Sequence, residues 1–333
     1  MKKIDLHKFF HRISFYVHNF GVYYMPKAWR RMRLERLMKS LTEEERKLVE
    51  DRTGYYARFS PESKVPQTYR ECGEEMPSIV PLKDYRYPWH KKHKFSAYFL
   101  DLYRAVGAFE ENYDMAYLFG DITQEYEFPF FVKTRPVRPT TNSVVMKLDS
   151  ERHFQWVKDK RSFASKKPMA VSRNVVRRQP WRALLLEKYW NHPLCNFGMV
   201  NRDAYTEHPE WVKDFMTKDE QLGYKFIMTI EGHDVATNLK WVMSSNSIAV
   251  MPKPKYESWF MEGTLKPNYH YIEVKDDYSD LEEKLQYYID HPQEAEAIVQ
   301  HAHEYVRQFQ NYRLELAIQY NVARRYFASC QRT

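Results

Sequence analysis

Residues 224–274 read YKFIMTIEGHDVATNLKWVMSSNSIAVMPKPKYESWFMEGTLKPNYHYIEV, and this stretch decides the fold. Residues 226–230 form a short β-leaning run, which Glu231-Gly232-His233-Asp234 interrupts. Val235, Ala236, Leu239, Val242 and Met243 then recur at helical spacing, and residues 247–251 are a second apolar run. A strand, a polar Gly-containing break, a helical period and a second strand make a β-α-β unit. Such a unit leaves free backbone N–H groups at the carboxyl end of its first strand. Open α/β sheets bind ligands there, and a helix N-terminus favours phosphate. An ordinary β-α-β unit in which Asp234 merely caps the helix shows the same pattern, so the local sequence leaves both readings open.

Outward from this stretch the alternation continues. Residues 281–289, 294–309 and 314–327 have amphipathic helical patterns, the second of them begun after Pro292. On the other side, residues 195–200 and 168–172 are strand candidates, the latter ending in Arg173-Asn174. Arg177, Arg178 and Arg182 follow near the start of a helix that carries Leu184, Leu185 and Tyr189. Residues 156–167 form a basic connector and mark the expected domain boundary. Upstream, residues 115–119 end in Gly120-Asp121, residues 128–132 end in Lys133-Thr134-Arg135, and residues 143–148 are a third short strand. Residues 95–109 suit a helix. Residues 51–94, punctuated by Pro61, Pro66, Pro77, Pro81 and Pro88, read as a long irregular surface excursion. Each half of the chain is thus expected to be alternating α/β, with polar strand ends facing a shared cleft.

The chain has 333 residues, enough for two domains of ordinary size. A hydrophobic content of 43% and an aromatic content of 16% suit a substantial core, and only nine glycines argue against a fibrous or low-complexity chain. Cys72, Cys195 and Cys330 are far apart and odd in number, which suits free thiols in a reducing compartment and offers no zinc spacing. The net charge of +8 is carried by residues 1–40, where ten Lys/Arg stand against Asp5 and Glu35. A basic, aromatic-rich segment points to an anionic surface. Charges interrupt every apolar run in it, so it is not a signal peptide, and no run reaches membrane-spanning length. The expectation is a cytoplasmic protein, peripheral to the inner face of a membrane. Residues 6–20 put Phe9, Phe10, Ile13, Tyr16, Val17 and Phe20 on one helical face, with Lys8, Arg12 and Asn19 opposite. Either an interfacial membrane helix or a helix docked on its own domain has this pattern. No nucleic-acid recognition motif appears and the excess charge is local, so no nucleic-acid partner is expected.

The motifs that are missing narrow the chemistry. There is no G-x-x-x-x-G-K-[ST] loop, no G-x-G-x-x-G fingerprint, no Asp-x-Asp pair and no G-x-S-x-G elbow. The thirteen histidines are scattered: His301 and His303 fall on different faces of a predicted helix, and His90 and His93 flank two lysines in a loop. No metal ligand set emerges. Arg173, Arg182, Lys253 and Lys255 are cations that suit phosphate at strand ends, and a cation on a diphosphate stabilises it as a leaving group. Group transfer to a hydroxyl needs a base. Asp121, after a strand and next to Gly120, is one candidate, with Glu125 as its rival; a turn cap is the structural alternative for Asp121.

The ordered set Glu231-Gly232-His233-Asp234-Val235-Ala236, the Ser-containing turn at 244–247, Glu257-Ser258-Trp259-Phe260, the run Leu265-Lys266-Pro267-Asn268-Tyr269-His270-Tyr271-Ile272-Glu273-Val274 and the Ser279-Asp280-Leu281 helix start resembles glycosyltransferase family 90. This is the capsule-associated or lipopolysaccharide-modifying family that includes the protein O-glucosyltransferases, and the resemblance, over about residues 115–310, is nearest to its bacterial lipopolysaccharide-type members. It implies a GT-B architecture, with two Rossmann-like domains and a cleft between them. The expected division is an acceptor-side domain at 1–160, a nucleotide-sugar domain at 161–310 and a C-terminal helix at 311–333 that crosses back. It implies inverting, metal-independent transfer from a UDP-sugar, with no cofactor besides that donor, to a glycan or lipid-linked acceptor. The catalytic base falls on Asp121, upstream of Lys133-Thr134. The donor falls to Lys133, Thr134, Arg173, Arg182, Gly232, Asp234, Val235, Ala236, Thr237, Asn238 and Lys253, with Glu257 on the ribose. Two residues depart from the pattern. Asn174 stands where the family has Gly. Asn238 stands where the secretory-pathway members have an Arg, so neutralising the phosphates falls to Arg173, Arg182 or Lys253. The alternative is a non-catalytic glycan- or lipid-binding protein on a degenerate GT-B scaffold.

Overall fold

The computed structural model describes residues 6–66, 76–87, 95–177 and 179–330, with side chains from Phe10 onward; His90, His93, Cys72 and Arg178 lie outside the described residues. In chain order the strands are β1 (Ser78–Pro81), β2 (Asp114–Tyr117), β3 (Phe130–Val132), β4 (Thr134–Pro136), β5 (Ser143–Val145), β6 (Lys167–Asn174), β7 (Cys195–Met199), β8 (Tyr224–Met228), β9 (Ile248–Met251), β10 (Tyr256–Ser258) and β11 (Ile272–Glu273). They belong to two compact units. Unit 1 comprises residues 1–152, 256–262 and 309–333; unit 2 comprises 153–255 and 263–308.

Unit 2 is a five-stranded, all-parallel sheet in the order β11-β9-β8-β6-β7. Its strands read as near-continuous apolar runs because both faces are covered. Phe226, Ile227, Met228, Ile248, Ala249 and Val250 are all at most 2% exposed. The helices Pro180–Tyr189, Leu281–Asp290 and Pro292–Arg307 cover it and complete one core with Phe197, Leu185, Leu285 and Ile298. Numbered within the unit, the strand order is 2-1-3-4-5, so the order reverses between β6 and β8. Doubly wound sheets bind ligands outside the carboxyl ends of the strands at such a reversal.

Unit 1 carries a smaller mixed sheet, β1-β2-β3-β5, in which β1 and β2 are antiparallel and the other pairs parallel. The helix Glu43–Tyr56 begins with a capping box between Thr42 and Glu45 and has three acids in its first turn, each favourable to the helix dipole. The buried C-terminal helix Tyr312–Cys330 packs against it and against the helix Ser96–Val106.

Three expectations need correction. The stretch 51–94 is not a surface excursion throughout its described part: Tyr56, Ala57, Phe59, Ile79 and Tyr85 are buried, and β1 forms within it. These buried residues are core, while Pro61 falls at a turn and Pro81 at the end of the edge strand β1, where no ladder N–H is needed. Lys133-Thr134-Arg135 does not end the sheet, because the chain continues into β4, which pairs antiparallel with β10 so that Arg135 faces Glu257. That ribbon puts residues 256–262 in unit 1, so the span 161–310 is not continuous in one unit.

Candidate functional site

The reversal between β6 and β8 gathers much of the expected donor set. β6 ends in Arg173-Asn174 and β8 runs into Thr229-Ile230-Glu231-Gly232. Arg182, in the first turn of the helix after β6, ties the two loops together. It donates from Nη1 to the Val175 carbonyl (2.9 Å), from Nη2 to that of Ile230 (2.9 Å) and from Nε to that of Glu231 (3.1 Å). Trp181 adds an indole N–H to the Glu231 carbonyl at 2.9 Å, and Gln179 lies 3.2 Å from the His233 ring. All three hydrogen-bond partners of Arg182 among the described residues are carbonyls, and burial pulls the guanidinium below the ordinary arginine range. A half-buried cation held only by dipoles gives this edge of the sheet a positive character.

Gly232 lets the guanidinium approach closely, because a Cβ there would sit 3.3 Å from Arg182 Nη2 and the arginine would have to shift by a few tenths of an ångström. Asp234, Val235 and Ala236 are buried, and Thr237 and Asn238 are half-buried. They do not start a helix. The helix spans only Leu239–Met243, and residues 232–238 run as bends and a turn, with Gly232 N–H donating to the Asp234 carbonyl at 3.0 Å. The reason is that Asn238 turns its side-chain amide back onto the Met228 carbonyl (2.9 Å), which closes the strand end instead of extending the helix. Asn174 donates to Ser172 Oγ at 2.7 Å and stays in the β ladder opposite Met199. Arg173 turns toward the β7 side, donating to the carbonyls of Asn196 and Asp214 (2.8 and 3.0 Å). Lys253 is exposed after β9, while its neighbour Lys255 is engaged with Glu231 and Asp276.

Two groups at this edge escaped the sequence reading. Thr229 Oγ1 and the Tyr278 hydroxyl are buried and make no hydrogen bond among the described residues. Thr229 directly follows β8, and Tyr278, held at φ 58°, lies in the loop after β11. A buried hydroxyl without a partner is costly unless something outside the chain satisfies it. A threonine after a strand and a tyrosine in a loop carry no sequence signal that separates them from ordinary core.

The expected base lies in unit 1. Gly120 takes φ 123°, in the left-handed region that favours glycine, and turns the chain after β2 so that Asp121 stands exposed. Its Oδ1 accepts from Lys133 Nζ at 2.7 Å. Lys133 is only 2% exposed and its ammonium also lies 5.7 Å from the Tyr98 ring centroid. A lysine so buried needs an anion, and Asp121 supplies one. Thr134 fixes the same turn by donating to the Ile122 carbonyl at 3.3 Å. Lys133 and Thr134 therefore hold Asp121 within unit 1. The rival Glu125 is committed elsewhere, since its Oε1 accepts the backbone N–H groups of Thr141 and Asn142 at 2.6 and 2.7 Å.

Glu257, the residue expected on the ribose, already has partners within its own unit. It sits on β10 in unit 1, 2% exposed, accepting from Arg135 Nε at 2.7 Å and from the Tyr55 hydroxyl. Arg135 is itself fully buried, and the two charges neutralise each other inside unit 1. Among the described residues no group of three or more His, Cys, Asp or Glu could hold a metal ion.

Unit 2 thus carries a parallel sheet with a cationic reversal point, and unit 1 carries a positioned carboxylate. Residues 141–322 match Glycosyl transferase family 90, and the chain belongs to that family. It is 36% identical over 328 residues to the O-glucosyltransferase LpsA of Dichelobacter nodosus, covering 97% of each chain. Shorter similarity, 37% over 94 residues, joins it to uncharacterized protein 179R of Invertebrate iridescent virus 6, covering 26% of this chain and 8% of that one. The chain is a glycosyltransferase, mixed α/β in fold.

Proposed function

We propose that this glycosyltransferase moves a sugar from a UDP-sugar to a hydroxyl of a lipopolysaccharide or other surface-glycan acceptor, with inversion and without a metal. The observation that carries the donor assignment is the β6–β8 reversal, where, among the described residues, Arg182 has only carbonyl partners and two buried hydroxyls lack any. A diphosphate supplies the missing negative charge and acceptors. Asp121 takes the proton of the acceptor hydroxyl. The resulting oxygen bonds to the anomeric carbon as the bond from that carbon to the diphosphate breaks, and UDP leaves with the electron pair. In this reading the architecture is GT-B, with the base supplied by unit 1 and the donor residues by unit 2. Glucose is the first sugar to test, since the long-range relative is named an O-glucosyltransferase. Such an enzyme works at the cytoplasmic face of a membrane, where lipid-linked acceptors are exposed.

Calorimetric titration of the purified chain with UDP, with and without EDTA, tests the donor side. Saturable binding that survives EDTA is expected. A folded protein that binds no UDP removes the donor assignment and leaves the alternative of a glycan- or lipid-binding protein on a GT-B scaffold.

A further inference from the structure

The N-terminal helix Leu6–Tyr24 has a wider apolar arc than its own domain uses. One part of the arc docks. Tyr16 Oη lies 2.6 Å from Ser96 Oγ, Phe20 stands edge-on to Tyr87 (5.1 Å), and Tyr23 lies 4.7 Å from Tyr103. Asn19 on this side is 3% exposed. The other part faces solvent: Phe10 is 64% exposed, Ile13 44%, Val17 69% and Tyr24 66%. These four fall within a narrow stripe at 100° per residue, so they form one ridge and not scattered apolar residues.

The next helix, Lys27–Lys39, repeats the theme after the turn at Met25-Pro26. Trp29 (63%) and Met32 (43%) are exposed on the face that carries Arg33 and Arg36. Lys27 and Arg31 of this helix are paired with Glu110, whereas Arg33 and Arg36 make no ion pair or hydrogen bond with the described residues. No helix among the described residues is long and apolar enough to cross a membrane. Exposed aromatic and aliphatic side chains beside unpaired arginines, in a segment that holds the chain's whole excess charge, match an interfacial lipid surface.

We infer that the solvent-facing ridge of Phe10, Ile13, Val17 and Tyr24, together with Trp29, Met32, Arg33 and Arg36, docks on an anionic lipid bilayer, the apolar side chains entering the headgroup boundary and the arginines meeting lipid phosphates. The charge complementarity selects this occupant over a second copy of the chain, whose equally basic segment would repel it. The inference stands on unit 1 alone and does not depend on the donor assignment.

The test is sedimentation of the full chain with vesicles of phosphatidylcholine containing 30% phosphatidylglycerol by preparation, on the order of what gives a strongly negative surface, against vesicles of phosphatidylcholine alone. Binding is expected only to the anionic vesicles and is expected to weaken steeply with salt. The double variants Phe10→Asp/Val17→Asp and Arg33→Glu/Arg36→Glu should each bind at least about tenfold more weakly, with unchanged unfolding midpoints because all four positions are exposed. Equal binding to neutral vesicles, no binding to either, or unaltered binding by the variants overturns the inference. So does light scattering that finds a dimer which the Phe10→Asp/Val17→Asp pair converts to monomer.

Discussion

At the scale of single residues, the sharpest consequence attaches to Asp121. Its carboxylate is exposed, aimed by a left-handed Gly120 and tethered to a buried lysine. Asp121→Asn keeps the shape of the turn and removes the base, so transfer should fall by at least about 10²-fold while UDP binding by calorimetry is retained. Near-wild-type turnover in that variant removes the base assignment. Thr229 separates a ligand role from a folding role in the opposite way. Its unpartnered hydroxyl costs desolvation in the free protein, so Thr229→Val should leave stability equal or raise it by about 1 kcal/mol, read from urea unfolding. If the hydroxyl serves the donor, the same variant binds UDP more weakly. Destabilisation with unchanged UDP affinity would show an internal partner instead. That Asp121 and Gly232 follow strands and Arg182 begins a helix was legible in the sequence, because glycine breaks and charged strand ends are visible in one dimension. Spacing did not reveal the pairing of Glu257 with Arg135, because that partner is 122 residues away on another strand.

At the scale of elements, the two motifs that carried the family resemblance prove to be structural devices. In Leu265–Tyr271, Asn268 takes φ 53°, which asparagine tolerates, and its N–H donates to the Tyr271 carbonyl at 2.7 Å. His270 closes the same turn by accepting the Lys266 N–H on Nδ1 at 3.0 Å. In Glu257-Ser258-Trp259-Phe260, the fully buried Trp259 stacks on Tyr56 with centroids 3.9 Å apart and donates from Nε1 to Glu315 at 2.7 Å. Glu315 in turn binds Arg52 and Lys147 at 2.6 and 2.7 Å, so one carboxylate joins the helices Glu43–Tyr56 and Tyr312–Cys330 to β10. Trp259→Ala should therefore cost unit 1 about 3–5 kcal/mol, seen as a lowered urea midpoint, through packing and not through any ligand. The strands of unit 2 were legible because buried parallel strands are apolar throughout. The short helix after β8 was misjudged in length because periodicity does not reveal that Asn238 folds back on Met228.

At the scale of the whole molecule, the division of labour lies in charge. The first forty residues hold the entire net charge, and the rest is balanced, so stability outside that segment rests on particular buried titratable groups. Two of them act in the same direction on acidification. Burial, with His301 and Lys266 nearby, pulls His270 down to about 4 from its ordinary value of 6.5, and the Lys266 N–H aimed at Nδ1 has no room for a proton there. Between those values the unfolded chain binds a proton that the folded chain refuses, so stability rises with pH across that window and is lost as pH falls through it. Glu315 is pulled below the usual carboxylate range; its burial opposes this, but Lys147 and Arg52 outweigh it. Its stabilisation is present above the unfolded carboxylate pKa and is lost as pH falls below it. Acid unfolding should thus begin near pH 6.5 with a His270 limb and steepen below pH 4.5 as Glu315 protonates. Chemical denaturation at a series of pH values reads both limbs, and His270→Gln, which keeps an acceptor but cannot titrate, should flatten the upper limb and leave the lower one. An upper limb unchanged in that variant would assign the early acid lability to a different group.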